Sequence, residues 1–189
     1  MHRALRFALA TVASLILLQP SLLSAQAPQQ DDPTKRPSPM GMSRITLGDA
    51  YVRVVYSRPG KKGRAIFGTK ESGALVPFGE VWRTGANEGT EITVTRDVTI
   101  GGTRLAAGTY TMFTTPGAES WKIHFNSALG LWGSRAYDAK NDVATVTVTP
   151  KALEAEVEWF TIALDKTDTG ADLVLKWATT EVRTPVRLP

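Results

Sequence analysis

The chain contains no cysteine. Disulfides, iron–sulfur ligation, thiolate metal sites and thiol nucleophiles are therefore excluded. Histidine is almost as scarce, with two in 189 residues, His2 and His124. A zinc centre built from several imidazoles is thus excluded within one chain. A serine–histidine–acid relay would have to use His124, and no G-x-S-x-G elbow accompanies it. Amphipathic helical periodicity longer than about two turns is lacking. Charge of one sign is lacking too. The formal net charge is +4, and Arg3 and Arg6 lie in an N-terminal segment that reads as removable, leaving 20 basic and 18 acidic side chains. That balance does not suggest nucleic acid as a partner.

Only one long apolar run is present, Phe7 to Leu18, preceded by Arg3 and Arg6 and followed by Pro20 and the small residues Ser24 and Ala25. This is the order of a secretory signal peptide, and cleavage is expected after Ala25. The run is shorter than the ~20 residues that span a bilayer, so no transmembrane segment is expected after signal removal. The expected location is exported, periplasmic or secreted. Residues 26–42 (QAPQQDDPTKRPSPMGM) are rich in proline and glutamine and read as a disordered leader. Residues 43–189 are expected to form a single domain, long enough to hold together by its core alone.

In that domain the apolar period is two. Val52 and Val54 alternate with polar or aromatic neighbours, as do Ile92 and Val94, Val146 and Val148, Phe160, Ile162 and Leu164, and Leu173, Leu175 and Trp177. Successive side chains on a strand point to opposite faces, so these are half-buried strands. Ile100-Gly101-Gly102-Thr103 is a hairpin signal. Asp165 to Gly170 is expected to link the last two strands. Many short strands with Gly and Pro turns predict an all-β fold, an antiparallel β-sandwich of jelly-roll-like form.

The densest chemistry lies between Leu75 and Thr90, LVPFGEVWRTGANEGT. Arg83 offers a planar fork for a carboxylate or phosphate. Trp82 offers a stacking face for a sugar ring or an aromatic ligand. Asn87 donates and accepts, and Glu88 would serve as acid or base if burial raised its pKa. The basic loop SRPGKKGR (57–64) adds Arg58 and Arg64 as anion-binding candidates beside glycines. The candidate ligand-binding set is therefore Arg58, Arg64, Trp82, Arg83, Asn87 and Glu88, with Glu88 and Arg83 as the catalytic candidates. His124 alternates with Ile123 and Phe125 and is expected on a surface or groove wall. Trp132, Gly133, Tyr137 and Asp138 read as a loop that either extends a ligand platform or lids the sheet edge. Gly63 to Lys70 has the glycine spacing of a phosphate loop but ends Thr-Lys, where that motif needs Lys first. No cofactor or metal is expected.

Four blocks, SRPGKKGRAIFG (57–68), LVPFGEVWRTGANEGTEIT (75–93), VTIGGTRLAAGTYTMF (98–113) and WGSRAYDAKNDV (132–143), resemble a bacterial family of exported proteins catalogued as domain of unknown function 2911. The resemblance covers about 56–187 and implies the fold and export. The TKESGA segment (69–74) is an insertion relative to the expected pattern. Three readings stay open. The first is a module binding a small polar or anionic ligand or a glycan. The second is an envelope-associated structural protein whose polar loop is a buried brace. The third is a metal-independent hydrolase or lyase using Glu88 and Arg83.

Overall fold

The computed structural model describes Asp32 and residues 35–189. The expected signal peptide and residues 26–31, 33 and 34 of the expected leader lie outside the described residues. Twelve strands are found there: β1 (Met40–Leu47), β2 (Ala50–Ser57), β3 (Phe67–Gly68), β4 (Val76–Pro77), β5 (Thr90–Val94), β6 (Val98–Ile100), β7 (Thr103–Leu105), β8 (Gly108–Thr115), β9 (Trp121–Asn126), β10 (Asp142–Val148), β11 (Lys151–Thr167) and β12 (Gly170–Arg187). Besides Lys35, the helical residues among those described are two single 3-10 turns, Lys70–Ser72 and Ala139–Asn141. The first of these lies in the TKESGA segment (69–74), between β3 and β4.

The fold is all-β. One antiparallel sheet has the order β1-β2-β5-β8-β9-β10, and a second has the order β11-β12-β6-β7. A short parallel pair, β3 with β4, stands apart from both. The alternating segments pair as their period dictates. Val52 and Val54 lie opposite Val94 and Ile92, and all four are buried. Each such side chain removed from water contributes roughly 1.5–3 kcal/mol. Gly101 and Gly102 carry φ of 56° and 81° and close the β6–β7 hairpin with Ile100 opposite Thr103, as positive-φ turns require.

Two boundaries differ from the sequence expectation. β1 begins at Met40, three residues before the expected domain start, because Met40, Gly41 and Met42 pair with Ser57, Tyr56 and Val55. The last hairpin turns within Asp168 and Thr169 alone, since Thr167 already pairs with Gly170; the polar DKTDTG stretch continues the two strands.

Both sheets supply one core. Val54, Ile92, Met112, Ile123 and Phe125 come from the first, and Phe160, Ile162, Leu173, Leu175 and Trp177 from the second. Polar bonds join the sheets as well. The Tyr56 hydroxyl donates to the Ile162 carbonyl at 3.2 Å and accepts from the Ile162 amide at 2.9 Å. Ser43 Oγ accepts from the Leu164 amide at 2.9 Å. These bonds satisfy backbone groups of β11 that would otherwise be buried unpaired.

Candidate functional site

The loop from Phe78 to Gly89 joins β4 to β5 and is held against β8. Trp82 and Thr114 exchange both backbone hydrogen bonds, at 2.8 and 2.9 Å, so their side chains share a face. Thr114 follows Met112 on the core side, which sends Trp82 inward and Arg83 to the opposite face. Thr84 and Asn87 then take left-handed backbone, with φ of 55° and 56°, uncommon for residues other than glycine. Gly85 passes so close to β2 that a Cβ would stand 2.9 Å from the Ser57 carbonyl oxygen. Three buried threonines lock the bend: Thr84 Oγ1 bonds Thr114 Oγ1 at 3.1 Å, and Thr90 Oγ1 donates to the Thr84 carbonyl at 2.6 Å.

This geometry separates the six candidates. Trp82 is 7% exposed. Its ring stacks on Trp177 at 5.6 Å and 19°, and meets Phe160 edge-on at 4.9 Å. Its indole N–H donates to the Gly85 carbonyl at 3.0 Å. The expected stacking face is therefore a core element, because aromatic partners on β11 and β12 already cover it. Arg58 donates to the Phe160 carbonyl and to Thr161 Oγ1 at 3.2 and 3.1 Å. Arg64 donates to the Lys61 and Gly60 carbonyls at 3.0 and 2.6 Å. Both expected anion binders are engaged with protein oxygens, one bracing β11 and one closing its own turn.

Asn87 and Glu88 hold the segment that precedes β1. Asn87 Nδ2 donates to the Ser38 carbonyl at 3.3 Å and to Ser57 Oγ at 3.1 Å. Arg36 Nη1 donates to both Glu88 carboxylate oxygens at 2.6 and 2.8 Å. The Arg36 guanidinium also lies 5.6 Å from the Trp132 ring centroid. Residues 36–38, expected to be leader, thus form a strap across the loop. Burial pushes the Glu88 carboxyl up, but the Arg36 hydrogen bond, its own backbone amide and the Arg36 charge outweigh that and leave it below its ordinary value. The raised pKa that acid chemistry would need is absent, and Glu88 remains 47% exposed. A hollow of about 200 Å³ opens beside it, lined by Met40, Val55, Ser57, Glu88, Gly89 and Gly130; Arg83 does not border it.

The Arg83 side chain stands alone. Its guanidinium forms no hydrogen bond or ion pair with the described residues, and its Nε is sealed from solvent without a partner. Burial pushes its pKa down. It pairs with neither Glu80 nor Glu88. One terminal nitrogen lies 3.9 Å from where a Cβ on Gly133 would stand, which places the guanidinium against the loop between β9 and β10.

That loop covers a second polar cluster on the outer side of β8, β9 and β10. His124 is 8% exposed, rather than at a surface, because Tyr137 folds over it with ring centroids 5.5 Å apart. His124 Nδ1 lies 3.0 Å from Asp142 Oδ2, and Nε2 lies 3.0 Å from Thr115 Oγ1. Tyr137 donates to Asp142 Oδ2 at 2.6 Å, and Asn126 Nδ2 to Oδ1 at 2.8 Å. Burial pushes the imidazole pKa down, Asp142 opposes this, and Lys122 adds to it; the net shift is downward. Burial and the two nearby aspartates push the Tyr137 phenol up. Sequence reasoning left Tyr137 in a loop that either extends a ligand platform or lids the sheet edge, and missed this network. The usable signal was strand alternation, which puts Thr115, His124 and Thr145 on non-core faces. No group of acidic or histidine side chains suited to a metal ion occurs among the described residues, and no described helix is long and apolar enough to cross a membrane.

Fold and site together define a cysteine-free all-β domain with a strapped polar loop and one unpartnered, half-buried guanidinium. The chain belongs to the family described as "Protein of unknown function (DUF2911)", whose model matches residues 38–186. No curated protein and no solved structure matches it.

Proposed function

We propose that the protein is an exported, anion-binding β-domain in which Arg83 receives a carboxylate or phosphate oxygen beneath the 127–141 loop. The observation that carries this reading is the Arg83 guanidinium, half-buried, with a sealed Nε and no ion pair among the described residues. A buried donor without a partner costs about 1–3 kcal/mol, and an anion at the terminal nitrogens, which are not sealed, would supply the charge partner that the guanidinium lacks. Export follows from the N-terminal charge and apolar pattern and fits the absence of cysteine-dependent chemistry. The fold reading that accompanies it is a β-sandwich of jelly-roll type, supported by two antiparallel sheets that feed one core. With Trp82 buried, a small anion suits the site better than a stacked sugar.

A second reading, an envelope-associated structural domain, draws support from the bracing roles of Arg58, Arg64, Trp82 and Asn87. Melting curves with inorganic phosphate, sulfate and citrate separate the two. A bound anion raises the melting temperature by mass action, equivalent to about 2.7 kcal/mol at a hundred times Kd. The rise should vanish in Arg83→Met. Identical melts for the wild type with and without these anions would reject the binding reading.

A further inference from the structure

We propose that Thr115, His124 and Asp142 form a nucleophilic relay for acyl transfer, hydrolysing esters of short acyl groups at the end of β8. The inference stands apart from the Arg83 reading and uses none of its residues.

The arrangement has direction. A carboxylate only accepts, so Asp142 Oδ2, 3.0 Å from His124 Nδ1, requires the proton on Nδ1. A neutral imidazole then presents a lone pair at Nε2. Thr115 Oγ1, 3.0 Å away, must donate to it. This is the tautomer and the hydrogen-bond order by which an imidazole draws a proton from a hydroxyl nucleophile. The carboxylate is itself fixed. Tyr137 donates to the oxygen that faces His124, and Asn126, fully buried, donates to the other. Asn126 Nδ2 also reaches the Asp138 carbonyl at 2.9 Å, so its orientation is set from two sides. Tyr137, Asn126 and Asp142 are positioning residues; Thr115 and His124 would touch the reacting atoms. Burial lowers the imidazole pKa and keeps it in its basic form at neutral pH, which supports the same geometry.

Thr115 is the last residue of β8 and only partly buried, and the turn after it, Ala118 to Ser120, is exposed. Its hydroxyl therefore suits an ester presented at the surface better than one enclosed in a cleft. Past Pro116, the amides of Gly117 and Ala118 make no hydrogen bond within the described residues. They are the N–H groups nearest in sequence that are free to meet a developing oxyanion.

In the first step, Thr115 Oγ1 bonds the ester carbonyl carbon while its proton passes to His124 Nε2. The ester C–O bond breaks, and the alcohol leaves with that proton. Water then attacks the acyl-threonine, giving a proton to Nε2. The C–Oγ1 bond breaks, Thr115 recovers the proton, and a carboxylic acid departs. Water is the only co-reactant.

The test uses a fluorophosphonate reporter, which phosphonylates hydroxyls activated in this way with loss of fluoride, on the full chain without its first 25 residues. The adduct is located by peptide mass spectrometry, and the fold of each variant is checked by its melt. One adduct on Thr115 is expected. Thr115→Val should lose it. Thr115→Ser, which preserves the network and presents a less hindered hydroxyl, should label at least as fast. His124→Gln should slow labelling by about 100-fold or more, the usual range for a lost general base. Absence of label on both the wild type and Thr115→Ser, under conditions that label a control serine esterase, would overturn the relay. An adduct on a different residue would overturn it equally.

Discussion

Replacing Arg83 with methionine should make the protein more stable and deaf to anions. The side chains are similar in length, so the packing against Gly133 is retained while the charge is removed. In the wild type, the guanidinium carries a sealed Nε and has no hydrogen bond or ion pair among the described residues. A fully buried donor left unpaired costs about 1–3 kcal/mol. Arg83 is only half-buried, and solvent screening of the exposed half reduces the gain to about 0.5–1.5 kcal/mol. For a domain of this length, 1 kcal/mol corresponds to roughly 2–4 °C. Thermal melts in a weakly coordinating buffer should therefore show Arg83→Met a few degrees above the wild type. Adding phosphate should raise the wild type toward or past the variant and leave the variant unmoved. A variant several degrees below the wild type, with anions absent, would refute the reasoning. It would mean that the guanidinium braces the loop, because removing one member of a buried pair costs about 3–5 kcal/mol.

Other expectations follow from the same geometry. Trp82→Ala should cost about 3–5 kcal/mol, since it empties the space between Trp177 and Phe160; urea midpoints would read this, and a loss under 1 kcal/mol would show that the indole is not a core element. A double-mutant cycle between Arg36 and Glu88 should give no more than about 1 kcal/mol, the range of an exposed pair, while hydrogen exchange at Met40 accelerates in Arg36→Ala. Acid should destabilise the protein through His124. Its pKa is depressed on folding by burial, with Asp142 opposing and Lys122 assisting, so the unfolded chain binds the proton first. Stability is then full above the ordinary imidazole value of about 6.5 and falls as pH drops through the folded value. Melting temperature should decline as pH falls below that point in the wild type and stay nearly flat there in His124→Gln. Equal slopes would contradict the assignment.

What was legible in the sequence was what is local. Val52 and Val54, Ile92 and Val94, and Leu173 and Leu175 revealed their strands because a period of two needs only neighbours. Gly101 and Gly102 revealed their turn because few other residues accept that backbone. What stayed hidden depends on register between distant segments. Nothing near Glu88 in the chain indicates that Arg36, 52 residues earlier, takes its carboxylate. An indole beside a guanidinium reads equally as platform or core until Trp177 arrives to stack on it. His124 looked peripheral because its strand alternates correctly. Only the loop folding back from Ser127 to Asn141 turns that outer face into an interior and delivers Tyr137 to it. Arg58 and Arg64 misled for a related reason. Cations beside glycines suit an anion, but they suit unpaired carbonyls just as well, those of a neighbouring strand for Arg58 and of its own turn for Arg64.

The ribbon of β11 and β12 also sets an order of assembly. Its two strands meet across a two-residue turn, a contact of short sequence range, the kind that forms quickly. Almost everything earlier in the chain waits for it. Tyr56 finds its backbone partner on β11, Trp82 finds its stacking partner on β12, and Ile100 finds Val186. The interior is therefore unfinished until β12 has been made, whatever order the earlier strands adopt.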